Sequence, residues 1–187
     1  MGKENEITIL NINRKEVATR LKELGAKSAG SHSYKRVEAL LRGDSRGKHA
    51  WIRVRTDGNH TTITLKQISA GKFIPMEEYE IGVDNFVGAV RLLKKLIASR
   101  MLYFENERER YLLGGTSITI DKWPRIPVFL ELEGRSMEQV RKVWQRLGVK
   151  GKNIGNVPIK RIYGEYGLSF RKVMGENSEK LKKILKE

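Results

Sequence analysis

The sequence contains no cysteine. Disulfide staples and thiolate metal sites are excluded, and a cytoplasmic location is expected. No apolar run approaches the ~18 residues that a spanning helix requires, so no membrane association is expected. The opening MGKENE is polar and acidic where a signal peptide carries an apolar segment. Glu6 breaks the pattern that myristoylation at Gly2 would need. Aromatic residues make up only 7% of the chain, too few to suggest the stacking platforms of a general RNA binder. The P-loop, G-x-S-x-G and H-E-x-x-H motifs are absent. His32, His49 and His60 have no ligand spacing. A nucleotide would therefore have to be held by side chains and not by a glycine loop.

Acid is also scarce relative to base: 22 Asp and Glu against 37 Lys and Arg, a formal net charge of +15. Such an excess attracts polyanions, whether nucleic acid, polyphosphate or nucleotide. Scattered over a surface, the same lysines would only confer solubility, so regular placement of charge is the informative feature. At 187 residues with 39% hydrophobic content, the chain can bury a sizeable core.

Regular placement is present. The opening strand ENEITIL is followed by a helix with Asn13 as N-cap, Glu16 three residues on, and Val17, Leu21 and Leu24 at helical spacing. The acidic strand and amphipathic helix recur. Glu78 and Glu80 precede Phe86, Val90, Leu93 and Leu96; Glu131 and Glu133 precede Val140, Val143, Trp144 and Leu147. Residues 50–67 predict a hairpin turning at Asp57-Gly58, and a second hairpin turns at Gly114-Gly115. SHSYKRVEALLRG reads as a weaker strand, and QISAGKF and RGDSRGK as flexible connections. The total is roughly eight strands and at least three helices. Leu181, Ile184 and Leu185 line one side of a Lys-rich final helix, expected to pack on the domain.

Side chains alternate between the two faces of a strand. One face therefore collects Glu4, Glu6 and Thr8; Arg53 and Arg55; Thr62, Thr64 and Lys66; Glu78 and Glu80; Asn106, Arg108 and Arg110; Ser117, Thr119 and Asp121; Glu131 and Glu133. The other face is apolar and suits the helical stripes. A single strand of this kind is ordinary amphipathic sheet. Strands that carry mainly acid beside strands that carry mainly arginine predict a charged interior, with helices outside. The expected fold is α+β, with helices covering the outer, apolar face of a closed or nearly closed barrel. Grouped carboxylates offer hard oxygen ligands for Mg²⁺ or Mn²⁺. Arginines offer forked donors to phosphate. The pairing suits phosphoryl or nucleotidyl transfer.

These residues resemble the CYTH domain, the group that unites class IV adenylyl cyclases with thiamine triphosphatases. ENEITILNINRKEVATRLKELGAK is similar to its E-x-E-x-K strand and helix, WIRVRTDG and TITLKQ to its R-x-R and T-x-K strands, and EEYEIGVD to its central E-x-E. ERERYLLGGTSITIDKWPRIPVFLELEG is similar to its R-x-x-Y, D-x-x-P and final E-x-E, and IKRIYGEYG to its closing helix. The resemblance implies an eight-stranded antiparallel β-barrel, a triphosphate tunnel with helices packed outside, over residues 1–170. Residues 171–187 are then a basic helical tail. It implies metal, Mg²⁺ or Mn²⁺, at Glu4, Glu6, Glu131 and Glu133. Phosphate falls to Arg53, Arg55, Lys66 and Arg108, with Arg110 added by alternation. Glu78, Glu80 and Asp121 match acidic positions that bind metal, orient arginine or assist proton transfer. The implied substrate is ATP, tripolyphosphate or thiamine triphosphate; an RNA 5′-triphosphate end is the nucleic-acid alternative. Monomer and dimer both remain open.

Two residues depart from the pattern. The motif lysine of E-x-E-x-K is Thr8, and a frequent lysine before Arg108 is Asn106. Lys160, Arg161 or Arg36 are the candidates to compensate. The departures set a second expectation beside the enzyme, a catalytically degenerate binder of nucleotide or polyphosphate.

Overall fold

A computed structural model describes residues 5–41, 49–68, 77–97 and 101–186. The chain divides into two compact units. Unit 1 comprises Met1–Gly2, Ser33–Glu105 and Arg171–Glu187; unit 2 comprises Lys3–His32 and Asn106–Phe170. Nine strands are present among the described residues: β1 Asn5–Leu10, β2 Lys27–Leu40, β3 His49–Thr56, β4 Thr61–Ile68, β5 Glu77–Val83, β6 Met101–Leu113, β7 Thr116–Lys122, β8 Phe129–Gly134 and β9 Lys152–Gly155. The helices described with them are α1 Arg14–Glu23, α2 Phe86–Leu96, α3 Met137–Leu147, α4 Ile159–Glu165, α5 Phe170–Gly175 and α6 Ser178–Lys186.

The strand order is β5-β4-β3-β2-β6-β7-β8-β1-β9. This corrects the expected eight-stranded barrel. The sheet has nine strands, and its terminal strands β5 and β9 do not pair to close it among the described residues. The α+β class and the antiparallel pairing hold. Alternation assigns each residue a face but carries no information on closure, which depends on strand tilt and stagger. The ninth strand is four residues long, too short to leave a periodic signature.

In unit 1, the hairpin β3–β4 turns where Asp57 Oδ1 accepts from the N–H groups of Asn59 and His60, and Gly58 takes a φ of 98°. Asn85 caps α2 by accepting from the Gly88 N–H at 2.8 Å. Val90 and Leu93 of this helix pack with Val37, Ala39 and Val54 of the sheet. Leu181, Ile184 and Leu185 of α6 pack on the same cluster, as the apolar side of that helix requires. Lys180 Nζ and Tyr103 Oη both donate to Glu105, which ties α6 to β6.

In unit 2, Asn13 Oδ1 accepts from the N–H groups of Lys15 and Glu16 and starts α1. Ser136 caps α3, and Gly148 ends it in the left-handed region with a φ of 63°. Gly114 and Gly115, both at positive φ, form the two-residue turn between β6 and β7. Val17 and Leu21 of α1 and Val140, Val143 and Leu147 of α3 bury their stripes on Ile7, Ile9, Ile118, Ile120, Leu130 and Leu132. Each fully buried side chain of this size contributes about 1.5–3 kcal/mol. With one face of the strands covered by helices, the charged rows are left on the other. RGDSRGK and most of QISAGKF, expected as connections, lie outside the described residues, as does Glu4.

Candidate functional site

The charged row of unit 1 is built by register. Across the ladders, Arg36 faces Arg55, Glu38 faces Arg53, Arg53 faces Thr64, Thr64 faces Glu80, and Lys66 faces Glu78. Alternation thus brings Arg53, Arg55, Lys66, Glu78 and Glu80 together. Arg53 Nη2 lies 3.3 Å from Thr64 Oγ1, 3.5 Å from Glu78 and 3.6 Å from Glu80. Lys66 Nζ donates to Glu78 at 2.7 Å, and Arg55 Nη2 stands 3.8 Å from Glu80. Thr64 Oγ1 donates to Glu80 Oε2 at 2.7 Å. The guanidinium groups of Arg36 and Arg55 both lie against the Tyr34 ring, 5.2 and 5.1 Å from its centroid.

This row is an electrostatically tense place. Burial, with the like charge of Arg55, lowers the Arg53 pKa, against the support of Glu38, Glu78 and Glu80. Burial would raise the Glu80 carboxyl, but the Thr64 hydrogen bond and the charges of Arg55 and Arg53 outweigh it and hold the group below its ordinary value. An anionic ligand with several oxygens would relieve the crowding of the cations. Guanidinium and ammonium groups spaced along a strand ladder match successive phosphates.

The row of unit 2 is acid-rich. Glu6 faces Glu133 and Thr8 faces Glu131 between β1 and β8. Asp121 is fully buried and saturated: Oδ1 accepts from Arg108 Nε at 2.8 Å, and Oδ2 accepts from Thr119 Oγ1 at 2.7 Å. Arg108 Nη2 donates to Glu131 at 2.6 Å. Asp121 therefore holds Arg108 in place. Arg110 Nε donates to Ser117 Oγ at 3.2 Å. Of the implied metal ligands, Glu6, Glu131 and Glu133 share this face. Among the described residues, no three His, Cys, Asp or Glu side chains are grouped closely enough to hold an ion. Glu131 is turned to Arg108 instead. The donor chemistry nonetheless suits a hard cation, since Glu6 and Glu133, directly opposite each other, offer carboxylate oxygens.

Thr8 and Asn106, where the motif lysines were expected, are both buried. Among the described residues, Thr8 Oγ1 and Asn106 Oδ1 have no hydrogen-bond partner. Arg36, a candidate to compensate, is buried in the row of unit 1, opposite Arg55. Lys160 and Arg161 are exposed on α4. One residue escaped sequence reasoning: Glu38, in the middle of the unit 1 row. The signal was available in the alternation Tyr34, Arg36, Glu38 against Val37 and Ala39.

Known proteins share this architecture. The family model of the CYTH domain matches residues 40–154. The PH1012 protein of Pyrococcus horikoshii superposes with a TM-score of 0.64 at 24% identity, covering 79% of this chain and 91% of its own. A candidate adenylate cyclase of Vibrio parahaemolyticus gives 0.64 at 12% identity over 88% of this chain and 99% of its own. A Hippeastrum protein, described as a candidate adenylyl cyclase with a dominant triphosphatase activity, gives 0.58 at 17% identity over 87% and 95%. A comparison with curated proteins finds no match. At these identities the structural likeness establishes a common fold.

Proposed function

Because this chain belongs to the CYTH family, we propose that it is a divalent-metal-dependent enzyme acting on a triphosphate. The observation that carries the reading is the unit 1 row, where Arg53 stands in register with Thr64 and Glu80, Lys66 stands in register with Glu78, and Arg55 lies beside Glu80. The three cations bind the phosphate chain and neutralise charge that develops on its oxygens. Glu78 and Glu80 keep them oriented before the ligand arrives. Arg108, fixed by Asp121, is a further phosphate donor, with Arg110 beside it on the same face. Glu6, Glu131 and Glu133, with Glu4, are the residues that would hold Mg²⁺ or Mn²⁺. The ion would supply Lewis-acid stabilisation of phosphate oxygens.

Two reactions suit such a site. In one, the ribose 3′-hydroxyl of ATP attacks the α-phosphorus and pyrophosphate leaves. In the other, water attacks the terminal phosphorus of tripolyphosphate, ATP or thiamine triphosphate, and the shortened chain leaves. Incubation with ATP and with tripolyphosphate, with Mg²⁺ or Mn²⁺, followed by ³¹P NMR, decides between them. Cyclic nucleotide plus pyrophosphate marks the first, orthophosphate the second. Consumption of neither substrate with either metal would overturn the enzyme.

A second reading is favoured by Thr8 and Asn106, buried with unpartnered oxygens where the family pattern has lysine. Each missing charged hydrogen bond costs phosphate binding about 1.5–3 kcal/mol. On this reading the chain binds triphosphate without turnover. Activity that emerges only in Thr8→Lys would support it; activity in the unaltered protein would dismiss it.

A further inference from the structure

Arg36 and Arg55 stand directly opposite each other on the β2–β3 ladder of unit 1. Like charges in that position repel and destabilise a strand pair. Both side chains share one aromatic neighbour. Tyr34 precedes Arg36 by two residues and so lies on the same face of β2. Arg55 is its diagonal neighbour on β3, within reach of an aromatic side chain. The guanidinium carbons of Arg36 and Arg55 accordingly lie 5.2 and 5.1 Å from the centroid of the Tyr34 ring. Both distances fall inside the ~6 Å over which a ring face attracts a cation. The acids hold Arg55 less closely than its neighbours in the row. Arg53 has Glu78 at 3.5 Å and Glu80 at 3.6 Å, and Lys66 has Glu78 at 2.7 Å. Among the described residues, Arg55 forms one ion pair, with Glu80 at 3.8 Å.

Resting on the reading that this row binds phosphate, we propose that Tyr34 is a positioning residue of the site. Its ring fixes Arg55 in the row against the repulsion of Arg36 and leaves the donors of Arg55 to a phosphate oxygen. A ring and a carboxylate orient a guanidinium in different ways. A carboxylate accepts its N–H groups, which a phosphate must then win back, and it sets a negative charge beside the ligand. A ring attracts the cation through its quadrupole and brings no carboxylate oxygen. The labour divides accordingly: Glu78 and Glu80 orient Arg53 and Lys66, and Tyr34 orients Arg55. Holding a long side chain in place before the ligand arrives lowers the ordering cost of binding. Tyr34 thus acts on phosphate through Arg55 and touches no ligand atom itself. The ring carries this role, and the hydroxyl is dispensable to it.

The test is a double-mutant cycle between Tyr34 and Arg55, read by calorimetric titration of tripolyphosphate into the full chain in metal-free buffer at constant ionic strength. Tyr34→Phe keeps the ring. Tyr34→Leu and Tyr34→Met both remove it and keep an apolar side chain, so the test stands if one of them fails to fold, as checked by circular dichroism. Each is measured in wild type and in the Arg55→Ala background. Tyr34→Phe is expected to bind within about twofold of wild type. The ring-less variants are expected to bind about threefold to tenfold more weakly, the scale of one partly buried cation–π contact. In the Arg55→Ala background, loss of the ring is expected to cost no further affinity. A loss of equal size in both backgrounds would overturn the proposal, since Tyr34 would then support the fold of the row and not Arg55. Unchanged affinity in the ring-less variants, or a loss in Tyr34→Phe as large as theirs, would overturn it too. These outcomes leave the phosphate site intact. Failure of wild type to bind tripolyphosphate would overturn the phosphate reading itself, and the role of Tyr34 with it.

Discussion

Two glutamates of the same row respond to pH in opposite directions. The Glu80 pKa is held below its ordinary value in the folded chain. Its ionised form therefore adds stability that is complete above the unfolded pKa and is lost as pH falls through the folded one. The Glu38 pKa is raised. Its contribution is complete below the unfolded pKa and is lost as pH rises through the folded value. Melting temperatures from pH 3 to 9 check both signs. Glu80→Gln is expected to lose less stability than wild type on acidification. Glu38→Gln is expected to be more stable than wild type on the alkaline side and to converge with it in acid. The reverse pattern at either residue would mean that its environment has been misjudged. Most of the row was legible residue by residue, since alternation placed Arg53, Arg55, Lys66, Glu78 and Glu80 on one face and the ladders set them in register. Partner choice was not legible. Nothing in the spacing says that Asp121 is consumed in holding Arg108, or that Glu131 turns to the same arginine.

At the scale of elements, helix caps and stripes were legible because they are local. Asn13 satisfies the first-turn N–H groups of α1, and Leu21 is fully buried against the unit 2 core. Asn13→Ala is expected to cost about 1 kcal/mol and Leu21→Ala about 2–5 kcal/mol. Urea unfolding midpoints would check the order. A larger loss at Asn13 than at Leu21 would show that capping, and not the buried stripe, governs α1. The elements that were missed share a physical cause. β2 begins at Lys27, but its first five residues are exposed, so its early half carries no alternation. β9 spans only Lys152–Gly155, and α5 is six residues long. Such short pieces are stabilised by what they pack on, a property their own sequence does not display.

At the scale of the molecule, the charge excess and the family were legible, and the closed barrel was wrong. Alternation established two faces for the sheet, but a face pattern is the same in an open sheet and a closed one. The net charge of +15 adds a long-range attraction for polyanions to the contacts of the row. Tripolyphosphate affinity is therefore expected to fall several-fold when ionic strength is raised toward ~1 M, where the screening length contracts to about 3 Å. Titration at increasing NaCl checks this, and salt-independent binding would point to an uncharged site. The central claim is that the unit 1 cations form the triphosphate site. Its most direct test is calorimetric titration of tripolyphosphate into wild type and Arg53→Ala under metal-free conditions. The account expects saturable binding to wild type and about a tenfold to hundredfold loss in Arg53→Ala, the scale of charged hydrogen bonds removed. Equal affinity in the two proteins would contradict it.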